Sequence, residues 1–150
     1  MTTQVPDHDH VKELVDQVVD QVWNGYVGLG VVPSDGPGPV LREAIAGQVS
    51  IVGSWRGLLV ITCEPELARR AGAALLGVEP SSPGELLDTL GEITNITGGN
   101  LMGLLPGLPT MTLPSVGPAS EPGRQPDWLF TYACGDQAFT VALIADPEED

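Results

Sequence analysis

The chain is poor in positive charge. Of its 150 residues six are Lys or Arg and twenty are Asp or Glu, a formal charge of −14. Such a surface opposes the counterion release that drives binding to DNA or RNA and the attraction to anionic lipid, so no nucleic acid and no membrane is expected as a partner. Aromatic bulk is scarce too, at three Trp, two Tyr and two Phe, while 19 Gly and 14 Pro are plentiful. Short, firmly punctuated elements around a core of small aliphatics are implied. The two cysteines, Cys63 and Cys134, are too few for a disulfide scaffold and suggest buried, reduced thiols. No apolar run approaches the length of a membrane span, and the opening MTTQVPDHDH has neither a basic start nor an apolar core. A cytoplasmic protein is expected. His8 and His10, flanked by Asp7 and Asp9, form no closed coordination sphere, so no metal or other cofactor is expected on this chain. The length suits one domain spanning residues 1–150, with 1–9 and 147–150 as loose termini.

The apolar residues that are present recur in orderly patterns. Val11, Leu14, Val15, Val18, Val19, Val22 and Tyr26 repeat at helical spacing and predict a first amphipathic helix over about residues 10–26. The stretch 31–40, VVPSDGPGPV, reads as a turn-rich connector; no Lys follows it and no helix opens from it, so it is not a phosphate loop. β-Branched residues then dominate 41–52 and 58–62 on either side of Gly53-Ser54, which predicts an antiparallel hairpin. Pro65 begins a second helix that stops at Gly77 and carries Arg69 and Arg70 on a face that is solvated or meets an acidic partner. Further on, 110–116 is an extended piece that Pro114 demotes to an edge or bulged strand. Residues 128–133 and 139–145 form a hairpin turned at Gly135-Asp136. The order α, β, β, α, α, β, β, β implies an α+β fold, helices packed on a largely antiparallel sheet.

The most informative stretch is 82–105, SPGELLDTLGEITNITGGNLMGLL. Ser82 is an N-cap, Pro83 suits the first helical position, and Glu85 stands where a capping box wants an acid. At about 100° per residue, Leu86, Leu90, Ile93, Thr97, Leu101 and Leu104 share one side, which is core. Asp88, Glu92, Asn95 and Gly99 share the opposite side within roughly 60° of arc. That stripe carries no Lys or Arg, so its carboxylates gain none of the i,i+4 ion pairs usual on a wet helix. Asparagine is a poor mid-helix residue, and Gly91, Gly98 and Gly99 each cost about 1 kcal/mol against Ala. A solvated face remains the favoured reading, although close approach by another surface would make the glycines easier to understand; Gly98 and Gly99 would equally suit a helix end or kink.

Asp88, Glu92 and Asn95 follow the pattern Asp or Ser, three residues, Glu, two residues, Asn, within GEITNITGGN, and are preceded by PELARRAGAALLG and followed by TLPSV. In these motifs the chain resembles the CheC, CheX and FliY family of chemotaxis phosphatases, over about residues 41–118 by motif and over nearly the whole chain in element order. The family pattern closes on a proline. Counting places it at Pro118, while the sequence context favours Pro114; either is structural. The second Glu/Asn site of some members is absent, since the early helix offers Asp20 and Asn24 at the wrong spacing, and a single-site, CheX-like domain is implied.

The resemblance implies an enzyme that removes phosphate from the aspartyl phosphate of a CheY-like receiver domain. Glu92 and Asn95 would be catalytic, Asn95 orienting the attacking water and Glu92 pairing with a receiver lysine. Asp88, Gly91 and Gly99 would meet the partner. Mg2+ is expected in the receiver, not in this chain, and a homodimer is a further implication. The alternative is a signalling module that docks on a receiver or flagellar partner without catalysis.

Overall fold

The valine repeat near the start winds into α1 (His8–Val19), which continues without a break as a π-helical segment, Asp20–Val27. Val11, Val15, Val18, Val19, Val22 and Trp23 are buried along it. Gly28, at φ 87°, ends it, its N–H bonding the Trp23 carbonyl at 2.9 Å. Our computed structural model of the chain describes residues 7–35, 38–119 and 125–146. Residues 8 and 9, expected in a loose terminus, are helical, because Asp7 in an extended conformation already starts the helix. The rest of that expectation, 1–6 and 147–150, lies outside the described residues.

Among the described residues seven strands build one antiparallel sheet: β1 (Val32–Ser34), β2 (Ile45–Val52), β3 (Arg56–Cys63), β4 (Thr110–Met111), β5 (Ser115–Pro118), β6 (Trp128–Cys134) and β7 (Gln137–Ala145). Their order is β1-β6-β7-β3-β2-β4, with β5 also on β2. The two expected hairpins are β2–β3 and β6–β7. Strand β1 departs from the sequence reading, which had a connector there: Val32 to Ser34 pair with Ala133 to Thr131, and a long-range ladder overrides local turn chemistry. The piece expected over 110–116 is two short strands on the same edge of β2, parted at 112–114 where Pro114 cannot donate to the ladder. Both edges are short and carry proline, Pro33 on one and Pro114 beside the other, which leaves a second copy little ladder to extend.

Register places one face of the sheet inward in rows. Val49, Leu59, Leu143 and Trp128 align across β2, β3, β7 and β6, as do Gly47, Ile61, Val141 and Phe130 in the next row, and Ile45, Cys63, Phe139 and Tyr132 beyond it. On this face pack α1, α2 (Pro65–Leu76) and α3 (Pro83–Met102). Trp23 stacks on Phe139 with ring centroids 4.2 Å apart. Cys63 and Cys134 are free and buried, and burial pushes the Cys63 thiol up to about 12. Arg69 and Arg70 are engaged internally: Arg69 pairs with Glu66 and Glu79, and Arg70 with Glu66 and with Asp136 in the β6–β7 turn at 2.7 Å. Among the described residues no helix is long and apolar enough to cross a membrane.

Helix α3 approaches β2 closely because Gly47 has no side chain. A Cβ there would stand 2.3 Å from Thr94 Oγ1 and 3.3 Å from Leu90 Cγ. Thr94 is fully buried and its hydroxyl donates to the Leu90 carbonyl at 2.7 Å, so it cannot swing aside. Gly47→Ala is expected to lower stability by about 1–3 kcal/mol, read as a shift of the urea midpoint. Adding Thr94→Ala should recover part of that loss, a coupling the double-mutant cycle measures.

Candidate functional site

The site helix is set by its first turn. Ser82 caps α3 in an extended conformation, its hydroxyl accepting from the Glu85 N–H at 3.2 Å, and Pro83 follows. Glu85 folds back as a capping box requires but grips one residue earlier than expected: its carboxylate accepts from the Ser81 N–H at 2.6 Å and the Ser81 hydroxyl at 3.1 Å. The helix runs unbroken through Gly98 and Gly99 to Met102, so the glycine pair neither ends nor kinks it.

Its buried face is wider than the apolar spacing suggests. Leu90, Ile93 and Leu101 are buried, as are Thr89, Thr94 and Thr97, whose hydroxyls donate to carbonyls four residues back. Leu104, expected in the core, lies past the helix end and is 36% exposed. The glycines divide. Gly98 is buried, and a Cβ on it would meet Met111 Sδ at 2.6 Å and Val49 Cγ2 at 2.9 Å; one on Gly91 would meet Val116 Cγ1 at 3.3 Å. The close surface at both is the chain's own sheet edge. Gly99 alone faces open space.

Asp88 and Glu92 are exposed and Asn95 is half-buried. Among the described residues none hydrogen-bonds or ion-pairs with these three side chains. The contrast with the other two asparagines is direct. Asn100 donates to the Ile96 carbonyl, and Asn24 donates to Asp20 and to the Val31 carbonyl while accepting from the Val31 N–H at 2.7 Å. Asn24 therefore pins the turn after the π-helical segment, whereas the Asn95 amide has no partner among the described residues.

Asp88, Gly91, Glu92 and Asn95 line a cleft of about 320 Å³ with Leu87 on the same helix and Leu113, Pro114 and Val116 on the opposite wall. Pro114 belongs to the cleft; Pro118, at the end of β5, is exposed and outside it. Sequence reasoning missed Leu87, Leu113 and Val116 as wall residues, although TLPSV already held two of them. Among the described residues no cation lines the cleft, and no group of three or more His, Cys, Asp or Glu is arranged to hold a metal ion. An uncompensated carboxylate beside a free carboxamide, on an open groove, can bond a cation and orient a water or phosphoryl oxygen supplied from outside.

Fold and cleft together define an α+β module in which one helix carries an acid and an amide along an open groove. The chain belongs to the chemotaxis phosphatase CheX family, whose model matches residues 45–122. Similar solved structures include the chemotaxis protein CheX of Vibrio vulnificus, 19% identical, covering 95% of this chain and 100% of that one with a TM-score of 0.77. A CheC-like superfamily protein of a Shewanella species is 18% identical, covers 95% and 100%, and has a TM-score of 0.74. CheX of Borrelia burgdorferi, solved as a CheX–CheY–BeF3–Mg2+ complex, is 16% identical, covers 92% and 99%, and has a TM-score of 0.65. At these identities the likeness is one of fold. No curated protein sequence matches.

The helix start that holds the stripe in place is pH-sensitive. Bonds from Ser81 hold the Glu85 carboxyl below its ordinary value of 4.5, so its stabilising contribution is complete above that value and is lost as pH falls through the lowered folded value. Glu66 and Asp136, held down by Arg69 and Arg70, titrate in the same direction. The urea midpoint should fall as pH drops below about 4.5, and Glu85→Gln should flatten that fall without abolishing it. The stability difference between native protein and Glu85→Gln should be largest near neutrality and shrink in acid.

Proposed function

We propose that the chain is a phosphatase for the aspartyl phosphate of a CheY-like receiver domain, with Asn95 and Glu92 as its catalytic residues. The observation that carries this reading is the pair itself: two side chains one turn apart on α3, with no partner among the described residues, at the mouth of a cleft in a CheX-family fold. An aspartyl phosphate is an activated acyl phosphate, so the enzyme need only align water with phosphorus. The Asn95 carbonyl accepts from the attacking water and its NH2 donates to a phosphoryl oxygen. Water oxygen bonds to phosphorus as the bond to the receiver's aspartate breaks. The products are a free carboxylate and inorganic phosphate, which takes the water's oxygen with both of its protons and gives one up to solvent as pH dictates.

Glu92 supplies position and charge. It pairs with a lysine beside the receiver's phosphoaspartate, which fixes the docked geometry. Asp88 contacts the receiver one turn earlier, Gly99 gives its loops room, and Gly91 forms the floor between them. Pro114 holds the opposite wall. The Mg2+ belongs to the receiver, in keeping with the BeF3 and Mg2+ of the Borrelia burgdorferi complex.

Phosphate release from a phosphorylated CheY-like receiver tests the assignment. Native protein should accelerate release. Asn95→Ala should lower kcat by roughly 100-fold or more, the scale of a lost orienting contact, with the urea midpoint unchanged. Glu92→Ala should weaken both docking and kcat. Native rates in both variants would reject these residues as catalytic, and a native protein that binds the receiver without accelerating release would be a docking module instead.

A further inference from the structure

The wall facing Glu92 and Asn95 is built to present one side chain. Between β4 and β5 the chain leaves the ladder for residues 112–114 and is held at both ends of that excursion. Thr112 is tied to β2 twice: its N–H donates to the Ser50 carbonyl and its hydroxyl accepts from the Ser50 N–H, each at 3.0 Å. Pro114 rests over Gly91, within 3.9 Å of where a Cβ would stand. Leu113, between these anchors, is 87% exposed. A lone exposed leucine is ordinary. This one differs because it lines the same cleft as Asp88, Glu92 and Asn95 and continues an apolar wall through Pro114, Val116 and, across the groove, Leu87.

We propose that Leu113 is the apolar anchor by which the protein grips its receiver domain, packing on an apolar spot beside the receiver's phosphorylation site. The inference rests on the phosphatase reading above. Any protein whose active site admits Glu92 and Asn95 together must close over the opposite wall, and Leu113 is the most exposed residue on it. Among the described residues the cleft has two carboxylates and no cation, so the occupant it fits carries a cation next to apolar surface. Burying Leu113 removes water from the rim of the Glu92 ion pair, where exclusion of solvent strengthens the charge-assisted bond. Its anchored flanks mean that little ordering is needed on binding.

The test uses Leu113→Ser and Leu113→Met in the full chain, with two readouts: binding to a CheY-like receiver held active by beryllofluoride and Mg2+, and steady-state release from the phosphorylated receiver. Leu113→Ser should weaken binding and raise KM by about tenfold, the scale of a buried leucine anchor, with kcat and the urea midpoint unchanged. Leu113→Met should behave as native protein. Native binding and KM in Leu113→Ser would overturn the proposal; so would a loss confined to kcat, or a fall in urea midpoint shared by both variants. The binding readout stays decisive if native protein binds but does not hydrolyse, an outcome that rejects the phosphatase reading alone.

Discussion

The tight seating of α3 on β2 is the constraint from which the rest of the structure follows. It is made by absence: Gly47 on the strand and Gly98 on the helix give up side chains so that Thr94, Met111 and Val49 can occupy the space. Because both surfaces are small there, the helix has one rotational setting about its axis. That setting turns Leu90, Ile93 and Leu101 into the core and, with no freedom left, turns Asp88 and Glu92 outward. The orientation of the stripe is thus decided by packing on the far side of the same helix. Polar groups caught in the tight contact are satisfied locally, each buried threonine hydroxyl returning a bond to its own helix.

The edge of the sheet completes the arrangement. Strands β4 and β5 share one neighbour, and the break between them is where the chain rises to form the second wall of the cleft. A continuous strand would have spent those residues on ladder bonds. Proline at 114 prevents that, so one position bears on both the sheet's boundary and the wall of the groove. Helix and loop are both fastened to β2, α3 at Gly47 and the loop through the bonds between Thr112 and Ser50.

Much of this was legible in the residues. Periodicity and the Ser82-Pro83 start place α3 to within a few residues, β-branched runs mark the first hairpin and the Gly135-Asp136 turn the second, and helical geometry alone puts Asp88, Glu92 and Asn95 on one stripe. What escaped has physical causes. Thr89 and Thr94 read as polar although a hydroxyl that bonds its own backbone is effectively apolar outward, so the buried face came out too narrow. A glycine's missing side chain signals a close neighbour without saying which, and for Gly91 and Gly98 the neighbour proved to be the chain itself. Strand β1 exists only through pairing with β6, some hundred residues away in sequence, and no local pattern announces it. Leu113 is conspicuous only once Thr112 is seen tied to Ser50.

The bonds of Asn24 bear on how this molecule could change over evolutionary time. Its amide closes the turn that delivers the chain from the first helix to β1, using every group it has for Asp20 and Val31. Were the early helix to acquire a site like the one proposed for α3, recruiting that amide would release a structural clasp. A second site there would cost the turn that Asn24 closes.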